Sequence, residues 1–117
     1  MILRVYSHLY KYLNISSDES NSQQKPIKDI LKILEETDVL VQKDEHTFQN
    51  KETFPWIDIS CVYAKNGSYS SNDKNLKYCN LIVVVFSRDR DNSISLTLLK
   101  NIADKIGWKL TDEAEDE

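Results

Sequence analysis

The chain has 117 residues, and 40% of them are apolar, which is enough for one domain with its own hydrophobic core. It carries 15 basic and 19 acidic residues, for a net charge of −4. Five of those acids lie in residues 112–117, which hold no base, so the rest of the chain is nearly neutral. General nucleic-acid binding requires a basic surface, and this charge distribution argues against it. We therefore predict a single α+β domain over residues 1–111 and an acidic, disordered tail over residues 112–117.

The two cysteines, Cys61 and Cys79, lie in apolar, strand-like segments, which favours buried free thiols. A disulfide between neighbouring strands is the alternative. The start of the chain lacks the basic residues and long apolar stretch of a signal peptide. No apolar run approaches the roughly 20 residues of a membrane span. We therefore expect a cytoplasmic protein with reduced thiols and no membrane partner.

The first part of the chain predicts a strand, an ambiguous segment, a loop and a helix. Residues 2–7 read as a strand, and residues 8–13 either extend it or form a helical turn. The polar run 16–25 predicts a flexible loop with nothing to bury. Pro26 favours the first position of a helix that ends near Thr37. The apolar stripe of this helix is Ile27, Ile30, Leu31 and Leu34.

Four further strands are predicted from residue 39 to residue 86. Residues 39–41 and 47–49 are predicted to form a hairpin around a turn at 43–46. Residues 56–64 alternate in polarity, which indicates an antiparallel strand with one solvent-facing side. Residues 81–86 are apolar throughout, as is typical of a central strand. On strand 56–64 we expect Ile57, Ile59, Cys61 and Tyr63 to face the core, and Trp56, Asp58, Ser60 and Val62 to face solvent.

The last part of the chain predicts a second helix and a short edge strand. Asn92 or Ser93 is suited to cap this helix, and Gly107 to end it in a left-handed conformation. Trp108 is expected to pack back on the helix, at the start of an edge strand over 108–110. The order of elements predicts a mostly antiparallel sheet of five to six strands with two helices packed on one face. The core stripe of the second helix is Leu99, Ile102, Ala103 and Ile106.

No residue pattern in the chain predicts catalysis. His8 and His46 do not lie at metal-ligand spacing with each other or with a cysteine. Nucleophilic catalysis needs a base and an orienting group beside the nucleophile, and no glycine-rich elbow accompanies Cys61 or Cys79. With two glycines in the chain there is no P-loop and no GxGxxG. We expect a protein that is not an enzyme and that uses no metal and no cofactor.

Several residues are candidates for binding a protein partner. Asp58 is either a carboxylate on the solvent side of its strand or a contact residue on an exposed sheet face. Tyrosine beside acidic residues is typical of binding hot spots, and Tyr10, Tyr12 and Tyr69 are candidates for exposure. The acidic tail is either a solvated end or a region that attracts a basic partner and speeds association. The predicted partner-binding residues are Asp58, Tyr69, Asp73, Arg88, Asp89, Asp112, Glu113, Glu115, Asp116 and Glu117.

Two segments carry a resemblance to a known group of proteins. They are Phe54-Pro55-Trp56-Ile57-Asp58-Ile59-Ser60 and Ile102-Ala103-Asp104-Lys105-Ile106-Gly107-Trp108-Lys109-Leu110 with the acids that follow. With a compact α+β body, the chain resembles the small immunity proteins of bacterial toxin systems, including contact-dependent growth inhibition. The resemblance implies that the protein binds a cognate toxin domain, such as a nuclease, and blocks its active site. It transfers no binding residues. The nearly neutral body departs from the strongly acidic members, which argues against phosphate mimicry.

Two other functions fit the same sequence. One is a small enzyme or ligand-binding domain with a pocket between sheet and helices, and such a pocket would hold His8, Asp58 or a cysteine. The other is a scaffold or homo-oligomeric interaction module that pairs through an edge strand.

Overall fold

The computed structural model describes residues 10–52, 55–66, 68–69, 75–87 and 93–112. These residues form a six-stranded antiparallel sheet, a two-stranded ribbon and two helices, so the predicted α+β fold is confirmed. In chain order the elements are β1 (Tyr10–Ser16), β2 (Lys25–Pro26), α1 (Ile27–Glu35), β3 (Leu40–Asp44), β4 (Thr47–Asn50), β5 (Ile57–Val62), β6 (Tyr78–Cys79), β7 (Leu81–Ser87), α2 (Ser93–Ile106) and β8 (Lys109–Asp112).

The main sheet has the order β3-β4-β5-β7-β1-β8, and β2 pairs with β6 in the ribbon. The apolar strand β7 lies inside the sheet between β5 and β1, as its composition predicts. In its register, Val84 lies opposite Ile59 on one side and opposite Leu13 on the other. Strands β3 and β4 form the predicted hairpin, with a register shift between Gln42 and Asp44. Among the described strands, β3 and β8 lie at the edges of the sheet.

The described part of the ambiguous segment 8–13, which begins at Tyr10, belongs to strand β1. Strand pairing explains why this segment is extended rather than helical, because β1 is hydrogen-bonded to β7 on one side and to β8 on the other. Leu13 and Ile15 alternate on the buried side of this strand. The strand predicted over residues 2–7 lies outside the described residues.

Both helices pack on the same face of the sheet. Ile30 and Leu34 of α1 share one buried cluster with the inward-facing residues of β1, β5 and β7. The predicted stripe of α2 belongs to the same cluster, and the two helices also contact each other. The sheet residues of the cluster are Leu13, Ile15, Leu40, Phe48, Ile57, Ile59, Cys61, Ile82, Val84 and Phe86, and Cys79 joins them from the ribbon.

Pro26 precedes helix α1 and is not its first helical residue as predicted. Its ψ of 136° is extended, because residues 25–26 form strand β2 and pair with β6. The backbone N–H of Ile27 then donates to the carbonyl oxygen of Lys77 at 2.9 Å, which ties the start of the helix to the segment before β6. The helix ends at Glu35, and Thr37 closes its last turn through a bond from its N–H to the Leu34 carbonyl, as expected.

Gly107 ends helix α2 as predicted, with a φ of 87°. The N–H of Trp108 donates to the Ala103 carbonyl at 3.0 Å and the N–H of Gly107 donates to the Asp104 carbonyl at 3.2 Å. This pair of bonds is a Schellman motif, which satisfies carbonyls at the helix end. Trp108 is 5% exposed and packs in the core, so its predicted position is confirmed.

We expect Gly107→Ala to lower the free energy of unfolding by about 1–2 kcal/mol, because the left-handed region is unfavourable for a residue with a Cβ. No atom lies within 4 Å of the site of that Cβ, so the loss would come from the backbone conformation. Urea unfolding would measure it, with Gly107→Asn as the control. Asparagine tolerates this conformation better, and an equal loss in both variants would contradict the explanation.

The end of strand β5 departs from the predicted alternation. Tyr63 is 40% exposed and Val62 is fully buried, so both predictions were wrong. Regular pairing ends at Val62, which lies opposite Leu81 at the start of β7. Leu81 is also buried, although neither residue belongs to the cluster beneath the helices. Both faces of the sheet are therefore buried at this end of β5. The alternation of residues 56–64 predicts that one of these faces is exposed to solvent.

Candidate functional site

The outer face of the sheet is the side that faces away from α1 and α2. Residues opposite each other in an antiparallel sheet project to the same side. The register aligns Tyr12, Val85, Asp58 and Gln49 in one row across four strands, and Val41 continues the row on β3. Asp58 therefore lies on the outer face, as the alternation of its strand predicts.

Two aromatic side chains lie beside this row, two residues before Tyr12 and Asp58 along the chain. The rings of Tyr10 and Trp56 meet edge to face, with centroids 5.5 Å apart. Ser87 lies between their strands, since it pairs with Tyr10 and its N–H donates to the Trp56 carbonyl at 3.1 Å. Tyr10 and Tyr12 are each 41% exposed and Trp56 is 45% exposed. We refer to Tyr10, Tyr12, Trp56, Asp58 and Val85 as the aromatic patch.

The charge of Asp58 on β5 is balanced by a lysine of β3, two strands away. The Lys43 ammonium lies 3.4 Å from the Asp58 carboxylate, and both side chains are partly exposed to solvent. Such surface ion pairs contribute little to stability. Their effect here is to leave the centre of the aromatic patch close to neutral, with polar groups at its margin.

The other end of the outer face forms a cleft of about 640 Å³ beneath loop 17–24. Asn14 of β1, Leu81 of β7 and Thr111 of β8 line the cleft from the sheet. Asp18, Glu19 and Asn21 line it from the loop. The outer face is thus divided into the exposed aromatic patch and a polar cleft.

Loop 17–24 is organised around the carboxylate of Asp18. The carboxylate accepts bonds from the N–H of Ser20 at 3.1 Å, from the N–H of Ser22 at 3.0 Å, and from both hydroxyls. These bonds, with that from the Ser22 hydroxyl as the largest cause, lower the pKa of Asp18 to about 2. The sequence predicts a flexible loop here, and composition alone does not show this local network.

We expect Ser22→Ala to raise the pKa of Asp18 from about 2 toward its ordinary value of 3.8. The folded pKa lies below the unfolded one, so Asp18 stabilises the fold above about pH 4, and this contribution is lost as the pH falls through about 2. An NMR titration of the carboxyl carbon would measure the shift. Ser20→Ala is the matched control and should produce a smaller rise, and an unchanged pKa in Ser22→Ala would contradict the assignment.

Asn80 joins this loop to the sheet and was not predicted from the sequence. Its side-chain oxygen accepts a bond from the Ala64 N–H at 2.7 Å, and its amide nitrogen donates to the Ala64 carbonyl at 2.9 Å. The same nitrogen lies 3.3 Å from the carbonyl of Asn21, to which it also donates. Its place in the sequence, a polar residue directly before the apolar strand β7, is a signal that could have identified it, because buried polar side chains are hydrogen-bonded.

The structure separates the predicted partner-binding residues that it describes. Asp58 lies in the aromatic patch, while Tyr69 is exposed in the segment after β5. Asp112 belongs to β8, although it was predicted to begin the tail. It lies opposite Leu13 on the helix side, and its carboxylate forms an ion pair with Lys11. The remaining predicted residues, Asp73, Arg88, Asp89, Glu113, Glu115, Asp116 and Glu117, lie outside the described residues.

No candidate metal site is found in the part of the chain that the structure describes. No three residues of the types His, Cys, Asp and Glu come together there in a group that could hold a metal ion. His46 is buried in the turn between β3 and β4, where its backbone N–H donates to the Asp44 carboxylate at 3.2 Å. His8 lies outside the described residues.

Comparisons with known proteins do not assign the chain to a group. Neither the protein-family models nor the curated proteins with which it was compared give a match. Within the described residues, neither helix has the combined length and apolarity needed to cross a membrane.

Proposed function

We propose that the protein is a non-enzymatic inhibitor that binds another protein through its aromatic patch. The observation that carries this proposal is the clustering of Tyr10, Tyr12 and Trp56 on a sheet face to which neither described helix contributes. Tyrosine and tryptophan are enriched in binding hot spots, because each combines a large apolar area with a polar group.

The rigidity of the patch also supports protein binding. Its residues lie on β1, β5 and β7 or directly before β5, and these three strands are paired side by side. Aromatic side chains held by paired strands lose little conformational freedom when a partner binds. Base stacking on single-stranded nucleic acid would need a positively charged groove beside the rings. Lys43, the cation beside Asp58, is already paired with that carboxylate.

Within this class, the role that we propose is that of an immunity protein that neutralises a cognate toxin domain by blocking its active site. Its resemblance to the small immunity proteins supports this role, as does the acidic end of the chain. A nuclease domain is a suitable partner, because enzymes that bind phosphate are often basic and residues 113–117 hold four acids. The patch would supply the buried contacts, and the acidic residues would speed the encounter.

Co-expression with the product of the neighbouring gene would test the proposal. If that product is toxic alone, the wild-type protein should restore growth and should copurify with it. A product that is harmless alone, together with the absence of any copurifying protein, would contradict the immunity role.

Surface variants would test whether the aromatic patch is the binding site. We expect Tyr12→Ala or Trp56→Ala to weaken binding of the partner by about 30-fold each, as is typical of hot-spot residues. Tyr78→Ala is the matched control, since Tyr78 is 47% exposed but lies on β6, away from the patch. Circular dichroism would verify that all three variants are folded. Equal affinity in the patch variants and the wild type would place the binding site elsewhere.

A further inference from the structure

Cys61 and Cys79 are neighbours in the core. Both side chains are fully buried in the same cluster, where the Cys79 thiol donates to the Leu81 carbonyl at 3.3 Å. The backbone explains why the two cysteines are neighbours. Cys61 lies opposite Ile82 in the pairing of β5 with β7, and the N–H of Asn80 donates to the Val62 carbonyl at 3.2 Å. The chain that follows Cys79 therefore runs directly beside Cys61.

We propose that Cys61 and Cys79 form a redox modification site, which a small disulfide such as oxidised glutathione converts into an intramolecular disulfide. Both thiols are free in the structure. The proposal concerns a property of the core and does not depend on the partner-binding role.

Access to the pair is through strand β6. This strand has two residues, and its pairing with β2 consists of Lys25 opposite Cys79 and Pro26 opposite Tyr78. Such a short ribbon opens at a much lower free energy than the sheet, where β5 is paired on both sides. Opening of β6 brings Cys79 to solvent while Cys61 stays in place.

The electrostatics of the pair make Cys79 the attacking group. The hydrogen bond from Cys61 lowers the pKa of Cys79, although burial opposes it. That same bond, together with burial, raises the pKa of Cys61. In the closed pair the Cys79 proton is therefore the more readily lost, and opening of β6 exposes this cysteine first. The thiolate is the reactive form of cysteine.

The reaction has two exchange steps. The Cys79 thiolate attacks one sulfur of oxidised glutathione, which forms a mixed disulfide and releases one glutathione thiolate. While β6 is open, solvent also reaches Cys61, which gives up its proton, and its thiolate attacks the sulfur of Cys79 and releases the second glutathione thiolate. The two cysteines lose one electron each, and one glutathione disulfide is reduced to two thiols. The product links β6 to β5 and prevents the ribbon from opening alone.

Mass spectrometry of the folded full-length protein incubated with oxidised glutathione would test the proposal. We expect a mass loss of about 2 Da, the loss of both free thiols, and one linked peptide pair that contains Cys61 and Cys79. Cys61→Ala should stop at the mixed disulfide on Cys79. A wild-type protein that keeps both thiols, retains a glutathione adduct or forms links between chains would overturn the proposal. The wild-type result decides the question even if the variant does not fold.

Discussion

Replacing Phe86 by alanine is expected to lower the free energy of unfolding by about 3–5 kcal/mol. Phe86 is fully buried on β7, where it lies opposite Ile57 of β5. Removing its ring would leave a cavity beneath the helices, because strands paired on both sides have little freedom to close it. Urea denaturation followed by circular dichroism would measure the loss.

Val85→Ala is the matched control for this prediction. Val85 is the adjacent residue on the same strand, but it projects to the outer face and is only half-buried. We expect the free energy of unfolding to fall by about 1 kcal/mol, because Val85→Ala removes less buried apolar area than Phe86→Ala does. Equal losses in Phe86→Ala and Val85→Ala would mean that the outer face is as tightly packed as the core, which would also contradict an accessible aromatic patch.

The second large effect is expected for Asn80→Ala, which should lower the free energy of unfolding by about 2–3 kcal/mol. Asn80 is 4% exposed, and its side chain is bonded to both backbone groups of Ala64. Alanine would leave these groups without their partner at a partly buried position, and that desolvation is the main cause of the loss. Thermal unfolding followed by circular dichroism would measure it.

Asn101→Ala serves as the control, because Asn101 is exposed on helix α2. Alanine has the higher helix propensity, so this variant should be as stable as the wild type or slightly more so. A stable Asn80→Ala variant would show that water replaces the lost bonds and that Asn80 does not anchor loop 17–24.

The elements whose signals are local could be predicted from the sequence. The stripe at Leu99, Ile102 and Ile106 predicts the buried side of α2, and Gly107 predicts its end. Both follow from the 3.6-residue period and from the left-handed conformation that glycine adopts easily. The apolar run 81–86 likewise indicates a strand inside the sheet. These patterns depend on residues close together in the chain, so they can be read without knowing the fold.

The predictions failed where distant segments meet. Tyr63 was expected in the core and Val62 in solvent, because alternation was continued past the point where pairing of β5 ends. Pro26 was predicted to be the first residue of a helix, whereas its pairing with Tyr78 keeps it extended. Loop 17–24 was read as flexible from its polarity, although Asp18 gives it a hydrogen-bonded structure.

The candidate site shows the same division. The sequence by itself determined that Asp58 lies on the solvent side of its strand, because side chains alternate along any strand. Only the tertiary structure decided that Tyr10 contacts Trp56, since this requires β7 to lie between β5 and β1. It likewise brought Cys79 beside Cys61 and Asn80 beside Asn21. Strand order is set by long-range packing, and no local pattern of residues encodes it.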